Sequence, residues 1–212
     1  MKRKAGKILI MLGCGMIAAA LALFLWNQQE QIRAASASQA AVKKVVEVIQ
    51  VQETDDTSTH PDMGELYVPD YLLPKEETER TMTVVEIDGY GYIGYLTIAA
   101  LELELPVMAD WSYGQLHIAP CRYFGSIFTD DLVIMAHNYP KHFGTLKEMR
   151  AGDVVCFTDM DGAVTRYRVI ALEILGANAV EEMISGDYDL TMFTCTYGGE
   201  NRVAVRCDRM EE

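Results

Sequence analysis

Hydrophobic and polar positions divide the chain into three textures. Residues 8–26 form a run of 19 residues without a charge, preceded by Lys2, Arg3, Lys4 and Lys7. A helix needs about 20 apolar residues to cross the hydrocarbon of a bilayer. Trp26 stands where an interfacial aromatic belongs, and the cations before the run predict a cytoplasmic N-terminus. The rival reading is a cleaved signal peptide cut at Ala35-Ser36-Ala37. Such peptides usually have apolar cores of about 7–15 residues, so this run is long for one. Both readings export the rest of the chain.

Residues 27–83 read as a stalk. The stretch 28–52 is rich in Ala, Gln, Ser and Val and is expected to be partly helical, because Ala and Gln favour helix. A polar, proline-broken segment follows at 53–62, and 75–80 is a charge run. The expectation is a solvated spacer. From Val84 the texture becomes short β-like runs separated by Gly, Asp and Asn. Strands are expected at 92–98, 103–108, 132–137, 154–158, 164–175, 190–196 and 202–207, with helical turns at 145–149 and 179–184. Many short strands with few helices indicate a closed barrel or sandwich, not alternating βαβ units. The expected organisation is therefore a basic tip and anchor at 1–26, a stalk at 27–83 and a mainly β domain at 84–212.

Composition sharpens this picture. Half of the 212 residues are apolar, enough for a real core. The net charge of −13 is uneven. Residues 1–33 hold five cations against Glu30 alone, a net of +4, so the remainder carries −17. A domain that acidic repels polyanions, which argues against nucleic acid as a partner. The five cysteines are Cys14, Cys121, Cys156, Cys195 and Cys207, and an odd count in an exported chain points to a free thiol. None forms a C-x-x-C pair, which argues against a zinc knuckle, and no EF-hand spacing is present. Cys156 and Cys207 lie in apolar runs suited to buried thiols. Disulfides between Cys121 or Cys156 and Cys207 stay open.

Two strands stop on reactive side chains. The run Leu190-Thr191-Met192-Phe193-Thr194 ends at Cys195, and Leu132-Val133-Ile134-Met135-Ala136 ends at His137 before Asn138-Tyr139-Pro140. Binding and catalytic groups are often placed where a rigid scaffold meets a loop. Of the other histidines, His60 falls in the linker and His142 in a loop. His117 sits in the alternating stretch Gln115-Leu116-His117-Ile118, which suggests an inward, structural residue. After the turn at 196–201 the chain returns as Arg202-Val203-Ala204-Val205-Arg206, so Arg202, Ala204 and Arg206 share one face. An imidazole exchanges protons near neutral pH, a thiol is a nucleophile once ionised, and a guanidinium stays charged and can hold a developing oxyanion.

Three motifs then carry a resemblance. Thr191-Met192-Phe193-Thr194-Cys195 resembles the T-L-x-T-C signature of the sortases, with Met192 in the Leu position. Ile134-Met135-Ala136-His137-Asn138 is similar to their histidine segment, with Ala136 where glycine is usual. Arg202-Val203-Ala204-Val205 is similar to their arginine strand, and Gly94-Tyr95-Leu96-Thr97-Ile98 with Leu105-Pro106-Val107-Met108 to their opening strands. The resemblance covers about residues 84–209.

Sortases are membrane-anchored cysteine transpeptidases of Gram-positive bacteria. The resemblance implies an eight-stranded β-barrel with short helices and catalytic roles for His137, Cys195 and Arg202, with Arg206 a second candidate for the arginine. It implies no cofactor and no metal. The implied partners are secreted proteins bearing a C-terminal sorting signal and a cell-wall precursor or pilin amine as acceptor, with the domain outside the membrane. The short stretch 176–189 leaves little room for a long specificity helix. Two alternatives remain from the residues. One is a papain-like peptidase or amidase, in which the thiol would precede the histidine and open a helix. The other is a non-catalytic anchored β domain that binds a surface ligand, with Cys195 an idle thiol, a reading that a Cys195–Cys207 disulfide would support.

Overall fold

The computed structural model describes residues 2–55 and 80–211. The expected linker segment 56–79, with His60, lies outside the described residues. Helix α1 spans Lys2–Asp55 without interruption. Nine strands follow: β1 (Val85–Ile87), β2 (Tyr90–Ile98), β3 (Leu103–Met108), β4 (Cys121–Phe124), β5 (Leu132–Met135), β6 (Val154–Asp159), β7 (Val164–Gly176), β8 (Leu190–Cys195) and β9 (Asn201–Arg209). Two further short helices are α2 (Tyr113–Leu116) and α3 (Val180–Met183).

The sheet order is β1-β2-β3-β4-β5-β8-β9-β7-β6, and β6 pairs back onto β2. Eight strands therefore close into a barrel, with β1 as a short addition along β2. Closure removes the free edges that an open sheet would expose. It also requires Gly94: its φ is +142°, and a Cβ there would stand 2.0 Å from the Thr158 carbonyl oxygen on β6.

Period-two alternation sends one side of each strand inward. Leu103, Leu105 and Val107 of β3, Leu132 and Ile134 of β5, Leu190 and Met192 of β8, and Val203, Val205 and Cys207 of β9 fill the barrel interior. A register irregularity between Tyr92 and Gly94 lets Ile93, Leu96 and Ile98 all point inside while Tyr92 faces outward.

The stretch expected to be a solvated spacer differs most from its expectation. The first half of α1 exposes apolar side chains all round, Ile10, Met11, Leu12, Met16, Ile17, Leu21, Leu23, Phe24, Leu25 and Trp26 among them. In the second half, Ala34, Ser38, Ala41, Val42, Val45 and Ile49 are buried. Their spacing is that of one helix face. Ala41, Val45 and Ile49 pack on Tyr92, Met108, Leu116, Ala119, Cys121 and Met160 of the barrel's outer surface. Lys44 Nζ, 2.5 Å from Asp88 Oδ2, fixes the far end. Small residues at the contact let the helix approach the sheet closely, so the segment is docked and not a free spacer.

Candidate active site

On the outer face of the β8–β9 ladder, three cross-strand pairs stand in a row: Cys195 opposite Arg202, Phe193 opposite Ala204, and Thr191 opposite Arg206. Side chains directly opposite each other have Cβ atoms about 5 Å apart. Register alone thus sets the thiol beside the Arg202 side chain.

β5 runs parallel to β8, with Met135 opposite Phe193. The strand ends at Met135, and His137 lies two residues beyond it instead of closing it. Two hydrogen bonds carry the alignment past the end of the ladder. Thr194 Oγ1 donates to the Ala136 carbonyl oxygen at 2.8 Å, and Ala136 N donates to the Phe193 carbonyl oxygen at 3.2 Å. The residue before the thiol is tied to the residue before the imidazole. The loop then folds back, Phe143 N donating to the His137 carbonyl oxygen at 3.2 Å. Gly144 is needed in that fold, because a Cβ there would come within 2.5 Å of the Asn138 carbonyl oxygen.

His137, Cys195 and Arg202 line one cavity of about 280 Å³. Its floor is Phe193 with Met183 of α3, and its wall is an aromatic chain. Tyr123 meets Phe193 edge-on at 5.4 Å between centroids, and Trp111 lies 6.0 Å from Tyr123 and 6.1 Å from Tyr113. Arg202 is half-buried, and its guanidinium donates to the Gly199 carbonyl oxygen at 2.9 Å, within the β8–β9 turn. His137 Nε2 is buried and has no hydrogen-bond partner among the described residues. Burial lowers the pKa of His137, the neighbouring His117 lowers it further, and Glu30 of α1 works in the opposite direction.

The two arginines part company here. Arg206 is 2% exposed and does not line the cavity. Its Nε donates to Glu173 at 2.9 Å, and its terminal nitrogens donate to Thr191 Oγ1 at 3.0 Å, the Glu182 carbonyl oxygen at 2.7 Å and the Met183 carbonyl oxygen at 3.4 Å. The Tyr188 ring covers it at 4.9 Å. Arg206 binds α3 to the barrel and has no free donor pointed at the thiol.

One other histidine departs from expectation, and another proves buried. His117 follows α2 and is half-exposed, not inward, with its ring 4.8 Å from that of His137. The alternation failed because the stretch is helical. Ser112 caps α2 by accepting from Gln115 N at 3.2 Å, a Ser-x-x-Gln signal that was present in the sequence. His142 lies in a loop as expected but is fully buried there, and burial pushes its pKa down to about 4.

All five cysteines are free, so Cys195 does not pair with Cys207. Cys207 lies in the barrel core and Cys195 on the outer face, and burial pushes the Cys121 and Cys207 thiols up to about 12. A thiol closing a strand is also not the helix-opening thiol of the papain-like alternative. Among the described residues no group of His, Cys, Asp and Glu has the arrangement of a metal site.

The sequence pattern of the Sortase domain matches residues 96–210, more than half of the chain, so the chain belongs to the sortase family of cysteine transpeptidases. The barrel is similar to solved structures of that family. A sortase C from Clostridium perfringens, solved with the C-terminal cell wall sorting motif, has a TM-score of 0.52 at 22% identity over 82% of this chain and 91% of that one. Sortase A from Corynebacterium diphtheriae has 0.52 at 16% over 87% and 94%. The Clostridium perfringens sortase D5 transpeptidase has 0.57 at 11% over 83% and 99%. These likenesses show the fold. Among curated proteins no sequence matches.

Proposed function

We propose that the chain cleaves a C-terminal sorting signal of secreted proteins and transfers the acyl fragment to an amine. The observation that carries this reading is the shared cavity. A thiol, an imidazole and a guanidinium come from three separate places in the sequence to one aromatic-walled space, with Thr194 tying two of their strands together.

In the first half-reaction the Cys195 thiolate attacks a peptide carbonyl, forming the C–S bond. Arg202 holds the oxygen as negative charge develops, together with backbone N–H groups. As the C–N bond breaks, the His137 imidazolium gives its proton to the leaving amine. In the second, an acceptor amine attacks the thioacyl group, His137 takes up the amine proton, and the thiolate leaves. The arginine of this scheme is Arg202, since Arg206 has its donors engaged elsewhere.

The acceptor is a cell-wall precursor or pilin amine, and residues 8–26 hold the domain at the outer side of the membrane. The helix is long and apolar enough to cross a bilayer. Retention is favoured over cleavage because the Ala35-Ser36-Ala37 site lies within α1, between the buried Ala34 and Ser38. Proteolytic nicking prefers exposed loops.

The test incubates the full chain in detergent micelles with a library of sorting-signal peptides and looks by mass spectrometry for a thioacyl adduct on Cys195. The Cys195→Ala chain should form none. A folded wild-type chain that forms no adduct with any peptide would sink the proposal.

A further inference from the structure

Helix α1 does more than dock. Glu30, just past the apolar run, places Oε1 3.8 Å from His117 Nδ1. The Tyr139 hydroxyl lies 3.1 Å from the same nitrogen. The His117 and Tyr139 rings flank His137, with centroids 4.8 and 4.9 Å away. One turn further along α1, Ala34 is buried, and its backbone reaches His142, whose ring lies 5.6 Å from that of Tyr139. Glu30 and Ala34 are four apart and so share one helix face. That face lies against the histidine cluster.

We propose that Glu30 is a positioning residue for His137, acting through His117 and Tyr139, so that the anchor helix is a working part of the active site. The proposal rests on the reading of His137 as the proton donor.

His137 must carry a proton when the amine leaves. His117, Tyr139 and His142 face it from its own side, Cys195 and Arg202 from the cavity, and Glu30 from α1. Burial and the His117 charge act against the imidazolium, and a guanidinium in the same cavity adds nothing in its favour. Glu30 is the carboxylate that acts for it. The His117 ring, whose Nδ1 meets both the Tyr139 hydroxyl and Glu30, forms one wall beside His137. The competing account is a half-exposed ion pair, screened by water, that only helps seat the helix.

The experiment follows the imidazole signals of the full, ring-labelled chain in micelles by NMR against pH. Four histidines can be assigned by replacing His60, His117 and His142 in turn. In Glu30→Gln the titration midpoint of His137 should fall by about 0.5 unit, the scale of losing one nearby but not contacting charge in a partly solvated site. Glu30→Asp should restore most of it. The limb of the pH–rate profile for thioacyl formation that belongs to His137 should move the same way. An unchanged His142 signal shows that α1 is still docked. Should the Gln variant undock the helix, Glu30→Asp, which keeps the charge but draws it one methylene back from His117, replaces it and should lower the midpoint by part of that amount. A His137 midpoint that stays put with the helix docked overturns the proposal. A midpoint that moves in a chain forming no adduct supports it while removing the transpeptidase reading.

Discussion

Arg202 and Arg206 are the same residue type, four apart on β9, on the same face, each opposite a residue of the Thr191–Cys195 segment. Their surroundings make them different parts. Arg206 lies in a closed web of one carboxylate, one hydroxyl and two carbonyls under the Tyr188 ring. Arg202 is held by turn carbonyls at its base and lines an open cavity. A guanidinium has five donors in a fixed fork. Arg206 commits its donors to four internal hydrogen bonds and is an anchor, whereas Arg202 lines a cavity and can act as a binding group. Position in the strand decided which.

This contrast can be broken by experiment. The largest effect is expected for Arg206→Ala, which strands Glu173 and two carbonyls. Urea unfolding should show a loss of about 3–5 kcal/mol, from several charge-assisted hydrogen bonds at roughly 1.5–3 kcal/mol each, with Glu173 itself partly solvated. Arg202→Ala should instead leave the unfolding midpoint in place and lower kcat for thioacyl formation about 10²–10³-fold, as losing an oxyanion donor does. If the two variants exchange these phenotypes, the assignment of Arg202 to the site fails.

The two threonines of the signature sharpen the same division. Thr191→Val and Thr194→Val should each cost about 1–2 kcal/mol for an unmade buried hydrogen bond. Only Thr194→Val should also slow adduct formation, because it frees the His137 segment from the Cys195 strand. Equal kinetic losses in both would contradict the geometry.

An effect confined to acid conditions belongs to His142. Its folded pKa of about 4 lies below the ordinary 6.5, so the unfolded chain binds more protons between those values. Stability from this group is complete above about pH 6.5 and is lost as pH falls toward 4, by at most about 3 kcal/mol. In His142→Phe the melting temperature should fall less between pH 7 and 5 than in the wild type. Equal falls would show that burial of this ring does not govern the acid response.

Seven of the nine strands were legible from alternation and turn residues, as was the convergence of His137, Cys195 and Arg202. The missed strands, β1 and β4, are three and four residues long, too short for a period to register. β4 touches β3 through a single parallel pair, Met108 with Cys121. The docked half of α1 was hidden for another reason. Its contact face is built partly from Ala34, Ser38 and Ala41, whose small side chains do not make an apolar stripe. Arg206 could not be sorted from Arg202, because its partners Glu173 and Glu182 lie 33 and 24 residues away in sequence.

The unbroken helix has a geometric consequence. Four residues separate Trp26, at the end of the apolar run, from Glu30 beside the histidines, and at 1.5 Å per residue that is about 6 Å. Under the proposed anchoring of residues 8–26 in a bilayer, this short rigid spacing would hold the site close to the membrane surface. A substrate and an acceptor that are themselves held at the membrane would reach it by lateral diffusion. Their numbers per unit area of membrane, and not their concentration in the surrounding fluid, would then set the rate.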